Sequence, residues 1–351
     1  TITGTEADAF ILYTATDNKD FDNGQVIKTH HYTFEGQPDR LYRFKVSAIN
    51  DGGESFTSPT LAVYISPRSN KTVILIDAFR RLASPEIIDN DSLQGFCFEK
   101  DFGVTLGATN AWNGQQQVFN KSTIGQESSE GLGYGDEEWK GIYWGGNDRD
   151  YVVNHAQAIA KSKSYNIVSC VRECIEDNDI KLKDYDCVDL IFGLEKYQPF
   201  TLVPYKTFTP KMKKQITKYC SGGGSVLASG SYLGSDMQST ADNLFLKELF
   251  KAEYVPDTLQ TPINNVINGL GMTFEFCNNA SITQYAVNHP EKLKPNGIAF
   301  CGMAYQLGGS AAVAYDGSDY KSFIMGFPLE SITDEHKKSQ IMAGILKFLI
   351  K

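Results

Sequence analysis

The sequence predicts an α/β protein, a doubly wound and mainly parallel sheet over residues 71–351, preceded by a small all-β module over residues 1–66. Three observations carry this reading. Residues 71–79, "KTVILIDAF", are a continuous apolar run ending in an acid, the pattern of a central parallel strand buried on both faces. Downstream of it, strand-like and helix-like segments alternate, as helices on both faces of a sheet require. Upstream of it, only short runs rich in β-branched and aromatic residues occur, separated by polar or glycine-containing turns.

In the first module the expected strands are "AFILYTAT" (9–16), "QVIKTHHYTF" (25–34), "LYRFKVSAIN" (41–50) and "LAVYIS" (61–66). Within the third, Tyr42, Phe44, Val46 and Ala48 alternate with exposed-type residues and define one buried face. "PRSN" (67–70) reads as a linker. The α/β region then gives a helix over 149–163, a strand "NIVSCV" (166–171) and a buried strand "DCVDLIFGL" (186–194). "TPKMKKQITKYCSGGG" (209–224) opens with Thr as N-cap and Pro at the first helical position and closes on glycine. A strand "SVLASG" (225–230) and a helix over 240–254 follow, then strands at 297–304, 310–316 and 321–328, and a last helix after a Thr333-Asp334-Glu335 cap. Residues 83–148 stand apart as a long insertion rich in glycine that holds Trp112, Trp139 and Trp144, and a loop of this length points to function.

Bulk properties narrow the chemistry. A chain of 351 residues, 41% hydrophobic and 21% charged, is long enough for two domains and a large core. The net charge of -9 argues against a nucleic-acid partner, whose phosphates need clustered Lys and Arg. No run approaches the ~20 apolar residues that span a bilayer. The seven cysteines are scattered and sit mostly in apolar runs, so they read as core rather than as a zinc site or disulfide framework. No HExxH and no Cys/His set at zinc spacing occurs, and the sequence calls for no cofactor.

In an open α/β sheet, ligands bind beyond the carboxyl ends of the strands. That rule selects Asp77, Glu195, Ser229, Ser231, Tyr232 and Asp236. Asp77 and Glu195 as a pair suit acid–base work or a cation; the alternative is that each caps a helix or binds backbone amides. Gly230-Ser231-Tyr232-Leu233-Gly234 has the outline of a nucleophile elbow, but a tyrosine occupies the position where that motif needs Ser or Cys. His155, with Asn147, Asp148 and Asp150, makes a polar cluster before a helix. It suits carbohydrate or metal contact, against the alternative that an Asp caps the helix and His155 lies on its surface. Trp112, Trp139 and Trp144 suit stacking on sugar rings, against pinning the insertion to the sheet as a satellite core.

"YRFKVSAINDGGESFTSP" (42–59) resembles the strand F, turn and strand G segment of a fibronectin type III domain, with Tyr42 at the corner-tyrosine position. Such domains hold ~100 residues, so the resemblance implies a partial module and a chain cut from a longer protein. From about residue 70 onward the pattern resembles the class I glutamine amidotransferase-like, flavodoxin-like fold, in which a Cys occupies the apex and a late His serves as base. His289 and His336 are the late histidines here, and neither has the matching His-x-Glu arrangement. "GGNDRDYVVNHAQAIA" (145–160), "LIFGLEKY" (190–197), "GGGSVLASGSYLGSD" (222–236) and "GGSAAVAYDGSDYKSFIMGFPLESI" (308–332) are similar to Bacteroidetes-type modular proteins that bear the label "xanthan lyase". That resemblance implies a secreted or periplasmic address, a glycan or peptidoglycan partner, and other domains in the same polypeptide, in some cases an N-acetylmuramoyl-L-alanine amidase.

Two functions follow as expectations. One is a non-catalytic binding or architectural segment of a cell-wall- or polysaccharide-directed protein. The other is a polysaccharide lyase or peptidoglycan hydrolase using Asp77, Glu195 and His155 or Tyr232. The second requires Asp77, Glu195 and Tyr232 to converge in one open cleft.

Overall fold

The computed structural model describes residues 6–55, 57–79, 86–97, 111–113, 118–120, 142–144, 151–197, 206–256, 262–279 and 284–350. The chain divides into two compact units, one of residues 1–81, 150–276 and 289–351, the other of residues 82–149 and 277–288.

In chain order the first unit begins with β1 (Ala9–Thr16), β2 (Gln25–Ile27), β3 (Leu41–Asn50), β4 (Gly53–Glu54), β5 (Leu61–Tyr64) and β6 (Thr72–Asp77). The second unit holds β7 (Glu86–Asp89), β8 (Leu93–Cys97), β9 (Ala111–Asn113), β10 (Val118–Asn120) and β11 (Ile142–Trp144). Its strands form two antiparallel groups, β10-β8-β7 and β11-β9, with Tyr143 opposite Trp112.

The first unit resumes with α1 (Tyr151–Ala160), β12 (Asn166–Val171), α2 (Arg172–Glu176), β13 (Cys187–Gly193), α3 (Pro210–Ser221), β14 (Ser225–Gly230) and α4 (Thr240–Phe245). Then come β15 (Ala252–Tyr254), β16 (Val266–Gly269), β17 (Met272–Glu275), β18 (Leu293–Pro295), β19 (Phe300–Tyr305), β20 (Ser310–Asp316), β21 (Lys321–Met325) and α5 (Glu335–Leu349).

Among the described residues, fourteen of these strands join one mixed sheet, ordered β17-β16-β19-β20-β21-β14-β13-β6-β12-β5-β3-β1-β2, with β4 on β3. The parallel part is its centre, β21-β14-β13-β6-β12, and both flanks are antiparallel. The expectation of a mainly parallel sheet therefore holds only for the middle. The reason is connection length. β19 to β20 and β20 to β21 are joined by tight turns, which can link only antiparallel neighbours. Gly308 and Gly309 in the first of these turns sit at φ +100° and +94°, a region that glycine adopts without strain.

Residues 67–70 do not interrupt the sheet. Tyr64 of β5 pairs with Ile167 of β12, and Ser66 is bound to Asn166 and to the Lys163 carbonyl. The expected strand at 25–34 ends at Ile27. The expected helix at 240–254 ends earlier too: its last turn widens over Leu246–Phe250, Lys251 turns left-handed at φ 51°, and 252–254 form β15.

Every residue of β13 and β14 is buried. Alternation sends Ile74, Ile76, Val188, Leu190, Phe192, Val226 and Ala228 to one face, where they pack with Met212 and Ile216 of α3. Each Val, Leu, Ile, Phe or Met side chain among them, fully buried, stabilises by about 1.5–3 kcal/mol. α1 and α5 lie side by side and pack against β6, β12, β13, β14 and β21. α3 has the expected cap, Thr209 Oγ1 accepting from the Met212 amide with Pro210 at the first position. At α5, Asp334 accepts from the amides of His336 and Lys337.

Candidate functional site

The carboxyl ends of β6, β12, β13 and β14 bring together the residues the sequence selected, but they seal most of them. Asp77 pairs in register with Val171 and Ile191 and is 4% exposed. Its Oδ1 accepts from the Phe79 amide at 3.1 Å, which holds the chain as it leaves the strand. Glu195 is 1% exposed and lies 3.7 Å from the guanidinium of Arg172, itself fully buried. Arg172 also donates to the carbonyls of Lys206 (3.1 Å) and Thr207, and its Nε stands 3.4 Å from Glu176. A buried carboxylate needs such a partner, since an unpaired ion in the interior costs several kcal/mol or more.

The segment after β14 is fixed from outside. Gly230 packs so tightly that a Cβ there would come 2.7 Å from Phe192 Cβ, and the Ser231 amide donates to the Gly193 carbonyl at 2.9 Å. Glu291 accepts from the amides of Gly234 (2.6 Å) and Ser235 (2.9 Å). Asp236 accepts from the Tyr197 amide and from both the amide and hydroxyl of Thr207. Burial raises the Asp236 carboxyl above its ordinary range, against the pull of these donors.

Ser229 and Ser231 are fully buried, and neither hydroxyl has a hydrogen-bond partner among the described residues. That corrects their placement as ligand contacts: Ser229 faces inward from a strand covered on both sides. Nor is the turn a strained elbow. Tyr232 is not among the described non-glycine residues with positive φ, and the next helix starts only at Thr240.

Tyr232 is the exception to this sealing. It is half-buried; the Lys196 ammonium stands 4.9 Å from its ring centroid and the His289 ring 5.5 Å. Neighbouring Tyr197 is 56% exposed. An aromatic ring with a cation and an imidazole beside it can stack on a sugar face and pair with an anionic substituent. Of the candidate set, then, Tyr232 is half-buried, while Asp77 and Glu195 are only 4% and 1% exposed.

His155 is corrected most sharply. It lies on α1, but fully buried rather than on the helix surface. As an imidazolium it donates from Nδ1 to Asp189 Oδ2 at 2.7 Å and from Nε2 to Glu330 Oε2 at 3.2 Å, and all three side chains are fully buried. Burial works against the charge, yet Asp189 and Glu330 outweigh it and lift His155 to about 9. Sequence reading missed both partners, although an acid inside the apolar run "CVDLIFG" is itself a signal that something must pair with it. Neither Arg172 nor Glu291 is marked by any motif in the sequence.

Asp148, Asp150 and Trp139 lie outside the described residues; Trp112 and Trp144 lie in β9 and β11. Cys170, Cys174, Cys187, Cys220, Cys277 and Cys301 are free thiols, and Cys170, Cys187 and Cys220 are buried as expected of core residues. Among the described residues no group of His, Cys, Asp and Glu has metal-holding geometry, and no helix is long and apolar enough to cross a membrane.

Glu291 offers a direct check of how the turn is held. Glu291→Ala should remove about 1–3 kcal/mol of stability. It should also speed hydrogen exchange at the Gly234 and Ser235 amides while leaving β14 protected. Unchanged exchange at those two amides would show that the turn stands without it.

No protein-family model and no curated protein matches the chain. Among solved structures, an exo-β-1,4-mannosidase from Opitutaceae bacterium strain TAV5 aligns at 12% identity and TM-score 0.37, over 59% of this chain and 33% of its own. A β-galactosidase from the Antarctic haloarchaeon Halorubrum lacusprofundi aligns at 14% identity and TM-score 0.34, over 57% of this chain and 26% of its own. A cytoplasmic protein from Salmonella typhimurium aligns at 11% identity and TM-score 0.41, over 80% of this chain and 99% of its own. At these scores none assigns a family or a reaction to this chain.

Proposed function

We propose that this chain is a non-catalytic binding and architectural segment of a secreted, cell-wall- or polysaccharide-directed bacterial protein, and that it contacts glycan through Tyr232, Lys196 and His289. The observation that carries the reading is the sealing of Asp77 and Glu195, at 4% and 1% exposure, into structural contacts. General acid–base catalysis needs a carboxyl within hydrogen-bond reach of substrate, and neither acid offers one. A fibronectin type III-like spacer before an amidotransferase-like domain belongs to the same proposal. Supporting the spacer, the Tyr42 hydroxyl accepts from the Gln37 amide at 2.9 Å, the upstream backbone contact of a corner tyrosine.

Glycan-array binding of the wild-type chain and of Tyr232→Ala tests it. The expected result is binding weakened about tenfold or more by loss of the stacking ring. Binding that ignores Tyr232→Ala would remove Tyr232 from the site. One observation favours a second reading, a lyase: a phenol beside an imidazole and an ammonium can act as the acid–base set that abstracts a proton next to a uronate carboxylate.

A further inference from the structure

We infer a second binding site, at the opposite edge of the sheet from Tyr232, for a carboxylate-bearing oligosaccharide. The inference rests on the polysaccharide-directed reading for the sugar, but not for the charge. A cleft of about 800 Å³ opens at the amino-terminal ends of the central strands, where Lys71 precedes β6, Asp186 precedes β13, and Ser225 and Lys321 open β14 and β21. Its volume falls within the ~300–1,000 Å³ typical of ligand pockets.

The charge of its lining departs from that of the chain. Lys71, Lys181, Lys183, Lys218 and Lys321 line it against only Asp186 and Asp319, in a protein of net charge -9. Two of these cations are already paired, Lys71 with Asp186 at 2.9 Å and Lys321 with Asp316 at 3.0 Å. Lys181, Lys183 and Lys218 are exposed and form no ion pair among the described residues. Asp179 and Asp184 neighbour them in sequence but do not line the cleft. Lys218 lies in the last turn of α3, where a cation complements the helix dipole. That accounts for one ammonium and leaves Lys181 and Lys183, which come from a separate segment yet face the same cleft. Like charges converging on a concave wall focus a field that attracts an anion.

The rest of the wall defines the anion's body. Half-buried Tyr185 lines the cleft beside Ile180, with Tyr219, whose hydroxyl is turned away to the Tyr185 carbonyl at 3.1 Å. An inorganic anion has no use for that apolar and aromatic lining, and a hydrocarbon has none for the ammoniums. A sugar acid presents both a C–H face for the rings and a carboxylate for the lysines.

Titration calorimetry at low ionic strength tests the assignment, with a galacturonate oligosaccharide, its uncharged methyl ester and inorganic phosphate as probes. The acid form should bind, and neither of the others should match it. Lys181→Gln/Lys183→Gln/Lys218→Gln, all at exposed positions, should weaken it about tenfold. Lys211→Gln/Lys214→Gln, on the same helix but outside the cleft, should not. Unchanged affinity in the triple variant, equal loss in the control, or equal binding of phosphate would overturn the proposal. Glycan binding lost in Tyr232→Ala but intact in the triple variant would uphold the Tyr232 site and overturn this one. Binding lost only in the triple variant would do the reverse.

Discussion

Replacing His155 by leucine should cost the fold about 3–5 kcal/mol, because it removes the cation that separates two fully buried carboxylates. Asp189 Oδ2 and Glu330 Oε2 would each lose the imidazolium donor from which they now accept. On a chain of 351 residues the melting temperature should fall by roughly 4–7 °C. The pH dependence is the sharper signature. His155 is lifted from 6.5 to about 9 in the folded protein. Its contribution is therefore fully present below about 6.5 and lost as pH rises through about 9. The separation corresponds to stability on the order of 3 kcal/mol. Urea unfolding at a series of pH values from 6 to 10 checks this. The wild type should lose stability across the alkaline half of that range and His155→Leu should not; a wild-type curve flat through pH 10 would refute the charged triad.

The second large effect is expected at Arg172. Arg172→Met keeps the volume of the stem but removes the guanidinium 3.7 Å from Glu195, itself 1% exposed, and takes donors from the Lys206 and Thr207 carbonyls. A loss of about 3–5 kcal/mol should follow. The double variant Arg172→Met/Glu195→Gln should recover part of it, since the buried carboxylate's charge is removed together with the guanidinium's. A double-mutant cycle measures the coupling. Strict additivity would mean that Glu195 does not depend on Arg172, and would reopen it as a functional acid.

These two clusters also show where the sequence was readable. β6, β13 and β14 stood out because a strand covered on both faces is apolar along most of its length, and the caps of α3 and α5 were visible in their first residues. The antiparallel flanks were legible as strands but not as a topology, because nothing in "SAAVAYD" states which neighbour it pairs with or in which sense.

The site was read less well for a related reason. The strand-end rule places residues at the correct edge, and Asp77, Glu195 and Tyr232 are all there. It cannot distinguish an acid that opens to solvent from one closed over by a guanidinium two strands away in the sheet. His155 illustrates the same limit: its partners lie at 189 and 330, and only the packing of α1 on the sheet brings them within reach. The basic cleft was invisible because Lys181, Lys183 and Lys218 are dispersed in an acidic chain and gather only in the fold.

The claim that most depends on all this is that the chain holds glycan without cleaving it. Its most direct measurement is turnover on a bound polysaccharide, followed by unsaturated-uronate absorbance for elimination and by new reducing ends for hydrolysis. The account predicts binding with no product by either readout, in wild type and Tyr232→Phe alike. Product formed by the wild type and abolished in Tyr232→Phe would contradict it.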